Sequence, residues 1–244
     1  MKPLFFLDTE TTSLEDARLI QLAVKSKEGH CDFTMQFKPP VPISYEAMAV
    51  HHITEKMVKK SPPFRASTRT YLQTILGQGI VVAHHAPFDI GVLEREGLKI
   101  KEWICTKKAA MRLWPEWESH KLQYLRYRLG IEIEAGEAHD AHADVLVLEA
   151  VFQKIFDEAT RVSCACSAEA AALTTPETVI EDLIRWSTEP SLLHAFRFGK
   201  HRGKTFEQVL REDDGYLAWV IRQPDTDPDV VHTAAHWLNS ARNV

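Results

Sequence analysis

The segment Leu4-Phe5-Phe6-Leu7 is an unbroken apolar run that stops abruptly at Asp8-Thr9-Glu10. Successive side chains of a strand point to opposite faces, so a continuous apolar run reads as a strand buried on both sides. Further strands are expected at Ile20–Val24 and at Asp32–Phe37, where polar and apolar residues alternate as in a half-buried strand. Proline clusters at 39–42 and 62–63 mark loops. From there strands and helices alternate. A helix is expected over Arg65–Leu76, a buried strand at Ile80–Ala83 and a helix over Phe88–Glu96 stopped by Gly97. A short strand at Ile104–Cys105 precedes helices over Lys107–Leu113 and Leu122–Leu129. Val145, Leu148, Phe152, Ile155 and Phe156 recur at helical spacing and define a core-facing helix from about Ala141 to Glu158. Three strands followed by strand–helix alternation specify an α/β domain with a mixed sheet flanked by helices.

That domain is expected to occupy residues 1–160. Residues 161–174 are small and Ala-rich and read as a linker, in part helical; Thr175-Pro176-Glu177 then opens a helix, with Thr as N-cap and Pro at the first helical position. The remainder, 175–244, is expected to be a small C-terminal module. A length of 244 residues suits one large domain with such an appendage. Hydrophobic residues at 45% and charged residues at 26% exclude disorder, collagen and coiled coil as whole-chain readings. No apolar run approaches a membrane span, and the first ten residues lack the features of a signal peptide. Four scattered cysteines fit a cytoplasmic protein better than a disulfide framework, and Cys164-Ala-Cys166 reads as free thiols rather than a zinc clip. The net charge of −5 gives no hint of a nucleic-acid partner.

Chemistry concentrates in three places. Asp8 and Glu10 project from one face at the end of the first strand, where a hard divalent cation would relieve their repulsion; two solvated acids at a strand end are the plainer reading. Asp89 lies in the first turn of a helix that follows a buried strand, where it also favours the helix N-terminus electrostatically. His139-Asp140-Ala141-His142-Ala143-Asp144 opens the strongest helix. Asp144 shares the inward face of Leu148, an acid there needs a partner, and Asp140 is explained as an N-cap.

A D-x-E strand, an Asp-led helix after a buried strand and a His-x4-Asp helix opening, in that order, resemble the DEDDh 3′–5′ exonuclease family. DTETTSL at 8–14, AMAVHHIT at 47–54, AHHAPFD at 83–89 and EWICTKKAAMRLWP at 102–115 are similar to it as well. The resemblance implies a ribonuclease H-like fold. It also implies two Mg²⁺ ions, replaceable by Mn²⁺, held by Asp8, Glu10, Asp89 and Asp144, with His139 taking the proton from the attacking water. The implied substrate is DNA with a 3′ end, single-stranded or at a duplex end, degraded to 5′-mononucleotides in repair or recombination; some relatives dimerise, so a homodimer is also implied. Thr9, Thr11, Leu14, His51, His85 and Phe88 match positions that meet the terminal nucleotide, and Leu14 reads either as a wedge against the last base or as a buried loop anchor. His85 departs from the Asn usual in the family at this position.

In the C-terminal module, FGKHRGKTFEQVLREDDGYLAWV resembles a DNA-degrading branch of the family and carries the vote for DNA. Arg197, Lys200, Arg202 and Lys204 fall within eight residues, interrupted by Gly199 and Gly203, and read either as a DNA-backbone loop or as a solvated hairpin. Tyr216 and Trp219 are expected in the module core. The alternatives are a 3′–5′ exoribonuclease, a polymerase-associated proofreading subunit and an inactive nucleic-acid-binding module. The last is disfavoured by the complete set of acids.

Overall fold

The structure is a computed structural model and describes residues 1–29, 31–133, 141–165 and 167–242, with the backbone alone at 168–170 and 242. Strands β1 (Leu4–Thr11), β2 (Leu19–Ser26), β3 (Asp32–Gln36), β4 (Ile80–Ala83) and β5 (Trp103–Cys105) form one sheet in the order β3-β2-β1-β4-β5. β2 pairs antiparallel with β1 and β3, and β4 pairs parallel with β1 and β5, so the sheet is mixed as expected. β1 is central and buried on both faces. Leu4 and Phe6 face one hydrophobic cluster, with Val145, Leu148, Phe152 and Ile155 of α7 (Ala141–Ala165). Phe5 and Leu7 face the other, with Leu72 and Leu76 of α3 (Ala66–Leu76) and Ile90 and Leu93 of α4 (Ala86–Arg95).

Two short helices, α1 (Tyr45–His51) and α2 (Glu55–Val58), were not apparent from periodicity; Val58 of α2, with Ile43 and Ile53 in the flanking turns, covers Ile20. α5 (Thr106–Leu113) and α6 (Leu122–Arg128) follow β5. The 161–174 segment is largely helical: α7 continues to Ala165 and α8 spans Ala168–Leu173. Alanine, the strongest helix former, carries the helix where no bulky residue marks a face.

α9 (Pro176–Thr188) buries Val179, Ile180 and Leu183 in the same cluster as α7. Ser187 Oγ accepts from Cys105 N at 2.7 Å on the edge strand β5. α9 therefore completes the first domain. The separate C-terminal core begins only after Pro190, with Phe196, Phe206, Leu217, Val220, Val230 and Ala234 from a hairpin, α10 (Phe206–Ile221) and α11 (Pro228–Arg242). Lys108 and Arg112 of α5 donate to the Glu189 carbonyl at the junction, at 2.8 and 3.3 Å.

Candidate active site

The strand period places Asp8 and Glu10 on the α7 face of β1, where the first turn of α7 brings Asp144. Carboxylate oxygens of the three residues all lie within 4.8 Å of one another, and this is the one such acidic cluster among the described residues. Asp144 and Glu10 are buried and Asp8 is half-buried. Like charges about 4 Å apart repel by about 4 kcal/mol at an effective dielectric of 20, so the cluster is poised for a cation. An all-oxygen donor set suits a hard divalent ion. A further observation fits the same conclusion. Gln21 sits opposite Glu10 in the β1–β2 ladder, on the same face, and its buried Oε1 has no hydrogen-bond partner. An acceptor placed beside the cluster in this way suits a water of a cation's hydration shell.

Asp89 approaches β1 from the other side. Thr9 points away from Asp8 and Glu10, and its Oγ1 donates to Asp89 Oδ1 at 2.7 Å. Asp89 is 4% exposed. Burial pushes its carboxyl up to about 7, against the lowering effect of the Thr9 hydrogen bond. Asp89 is thus joined to β1 but stands outside the three-carboxylate cluster. Its helix begins at His85, whose φ of 68° is left-handed. Asn and His are both enriched in that region among non-glycine residues, so His85 takes this conformation without glycine.

His84, beside it, is held down to about 3 by burial. Its Nε2 lies 2.8 Å from the His120 carbonyl and its Nδ1 2.9 Å from Thr106 Oγ1. The neutral tautomer that donates from Nε2 satisfies both.

The other expected nucleotide contacts divide into two groups. Thr11 donates to the Ser13 carbonyl at 2.9 Å and is buried. His51 is buried, with Nδ1 accepting from Ile53 N and Nε2 3.2 Å from the Thr11 carbonyl, so it braces the end of β1 from α1. Phe88 packs on the α4 side of the core. Leu14, by contrast, is 85% exposed, which rules out a buried loop anchor. His139 and Asp140 lie outside the described residues.

In the basic hairpin, Arg197 NH2 lies 2.9 Å from His120 Nδ1, a contact that ties the module to the first domain. Lys200 pairs with Asp213 at 2.6 Å, and Lys204 pairs with Glu212. Lys200 and His201 hold the Asp213 carboxyl down to about 2. Among the described residues, Arg202 has no carboxylate partner and is exposed. Gly199 is required where it stands: its φ is +64°, and a Cβ there would lie 2.5 Å from the Tyr216 hydroxyl. Tyr216 is core, as expected, but Trp219 is half-exposed and stacks on it.

Sequence reasoning missed Gln123, whose Nε2 donates to Asp144 Oδ1 at 2.7 Å. Nothing local in LQYLRYRL marks it, since the contact spans the gap between two helices.

A model of the exonuclease family matches residues 5–152, which include both β1 acids, Asp89 and Asp144. The chain belongs to the exonuclease family. A second model, described as exodeoxyribonuclease X-like C-terminal, matches residues 196–225 of this exonuclease, the hairpin and α10. Exodeoxyribonuclease 10 of Escherichia coli (strain K12) is 32% identical over 240 residues, which span 96% of this chain and 98% of that protein. The DNA polymerase III subunit epsilon of Pasteurella multocida is 28% identical over 172 residues, spanning 60% of this chain and 65% of the other. Among solved structures, exonuclease X in complex with 5′ overhanging duplex DNA superposes with a TM-score of 0.55 at 26% identity, covering 75% of this chain and 99% of that one. The sheet order and helix layers are those of the ribonuclease H-like fold. Family membership and the acidic cluster together make the enzyme a divalent-metal-dependent exonuclease. No helix among the described residues is long and apolar enough to cross a membrane.

Proposed function

We propose that this enzyme is a 3′–5′ exodeoxyribonuclease that uses two Mg²⁺ ions, with Mn²⁺ able to substitute, and releases 5′-mononucleotides from DNA 3′ ends in repair or recombination. The observation that carries the reading is the convergence of Asp8, Glu10 and Asp144 on one point at the end of β1. Bound divalent ions supply Lewis-acid stabilisation of the phosphate and lower the pKa of the attacking water. Asp8, Glu10 and Asp144 would hold the ions together with Asp89, which is tied to the same strand through Thr9. His139, six residues beyond Ile133 and five before Asp144, is assigned as general base; a reference pKa of ~6.5 suits proton transfer near neutral pH.

Leu14 is assigned as the wedge against the terminal base. Its side chain stands in solvent at the end of a loop whose neighbours are tied down: Thr12 Oγ1 accepts from Arg18 N, and Arg18 is held bidentately by Glu96. Arg202, with Lys200 and Lys204, is assigned to the DNA backbone. Exposed ion pairs are worth little, so the two lysines can exchange their acids for phosphates; Arg197 serves the domain contact instead. The match to the polymerase subunit covers 60% of this chain, whereas the match to exodeoxyribonuclease 10 covers 96%, which favours a free-standing DNA exonuclease over a polymerase-bound subunit. Cys31 and Cys105 are buried and unbridged and Cys164 is exposed and free, in keeping with the reducing cytoplasm.

Calorimetric Mg²⁺ titration of the wild type and Asp144→Ala, run alongside digestion of matched DNA and RNA oligonucleotides, tests the reading. Saturable binding lost in the variant and DNA degraded faster than RNA are expected. Equal metal affinity in the two proteins, or preference for RNA, would sink it.

A further inference from the structure

The geometry points to Gln123 as a positioning residue for the Asp144 carboxylate, with Arg126 as its anchor. This inference rests on the metal-binding reading of Asp144 above.

A carboxylate is soft about its terminal torsion, and Asp8 and Glu10 push Asp144 away from the point where all three must meet. The Gln123 amide opposes that tendency. Its Nε2–H donates to Asp144 Oδ1 at 2.7 Å in a half-buried setting, fixing one oxygen and with it the direction of the other. The choice of residue type matters. A lysine or arginine at 123 would neutralise Asp144 and compete with a cation for it, whereas a neutral amide orients the acid and leaves its charge available.

The amide is itself oriented. Arg126 lies one helical turn along α6, on the same face as Gln123. Its NH1 donates to Gln123 Oε1 at 3.5 Å, so the amide oxygen faces the guanidinium and the nitrogen faces Asp144. The NH2 of Arg126 donates to the Ile133 carbonyl at 2.7 Å. One short helix therefore holds the acid at the start of α7 through Gln123 and braces the chain at Ile133 through Arg126. Partners of this kind, which orient a metal ligand without touching the metal, are typically worth 10–100-fold in metal affinity or activity.

The test is calorimetric titration of the metal-free full-length protein with MnCl₂, beside steady-state DNA digestion as a function of Mn²⁺ concentration. Gln123→Met keeps the side-chain length and removes both amide atoms. It is expected to weaken Mn²⁺ binding by roughly 10–100-fold. Its melting temperature in EDTA and its KM for DNA are expected to stay at wild-type values. Its kcat is expected to recover toward the wild type as Mn²⁺ is raised, a rescue that a purely structural defect would not show. Arg126→Met is expected to weaken Mn²⁺ binding in the same direction but by less, because Gln123 keeps its amide and loses only the guanidinium that orients it. If Gln123→Met does not melt cooperatively, Gln123→Ala carries the same comparison. Mn²⁺ affinity within twofold of the wild type in a folded Gln123 variant would overturn the assignment. Failure of the wild type to bind Mn²⁺ would overturn the metal reading itself, and this assignment with it.

Discussion

Asp89→Asn should stabilise the metal-free protein while abolishing its activity. Asp89 is 4% exposed, and burial raises its carboxyl from 3.8 to about 7. Between those two values the folded protein retains a proton that the unfolded chain has released. Stability therefore falls as pH rises from about 4 to about 7 and stays low above that. A gap of about three pKa units corresponds to about 4 kcal/mol. Asparagine escapes this penalty and still accepts from Thr9 Oγ1, while its new NH₂ group costs about 1–3 kcal/mol if it finds no acceptor. The net gain expected above pH 7 is thus about 1–3 kcal/mol, fading to none or to a small loss near pH 4. Urea unfolding in EDTA, followed by fluorescence of the six tryptophans at pH 5 and pH 8, measures it. A variant less stable than the wild type at pH 8, or a difference independent of pH, would refute the reasoning. Retention of a costly buried acid is intelligible when the group serves catalysis rather than folding.

His84 gives the opposite slope. Its imidazole stays neutral down to about pH 3 when folded, so stability is lost as pH falls from 6.5 toward 3, at up to about 1.4 kcal/mol per pH unit. His84→Gln should flatten that loss in the same unfolding series, and against an Asp89→Asn background the slope should be plainest. Leu14→Ala should leave the melting temperature unchanged, because the side chain is in solvent, yet slow digestion of duplex ends several-fold more than of single strands; equal rates on both substrates would remove the wedge. A chain ending after Pro190 should unfold cooperatively. One ending after Thr174 should lose several kcal/mol, since burial of Val179, Ile180 and Leu183 is worth about 1.5–3 kcal/mol each. Comparable stability of the two truncations would return α9 to the C-terminal module.

Local pattern carried much of this structure. The apolar run before Asp8 required a strand buried on both faces, and the strand period alone put Asp8 and Glu10 on one side. The inward stripe of α7 placed Asp144 toward the core, where a partner was needed. What remained hidden was long-range. Thr9 was expected only to point away from the acids, but pointing away brings it to Asp89, 80 residues later. Gln123 looked like any polar residue on a short helix until α7 lay beside it. The four cations of the hairpin read either as a DNA-backbone loop or as a solvated hairpin; two meet acids on α10 and one meets His120, pairings that depend on the kink at Asp213 and on the docking of the module. The Ala-rich stretch read as a linker because helix propensity without a hydrophobic face leaves no periodic signal.

The central claim is metal-dependent removal of nucleotides from a DNA 3′ end by the acids at the end of β1. A time course on 5′-labelled single-stranded DNA, with Mg²⁺ or EDTA and with wild type or Asp8→Ala, tests it most directly. The account predicts a ladder of labelled products shortening one nucleotide at a time, absent in EDTA and in the variant. Immediate appearance of labelled mononucleotide, or an undiminished ladder in EDTA, would contradict it.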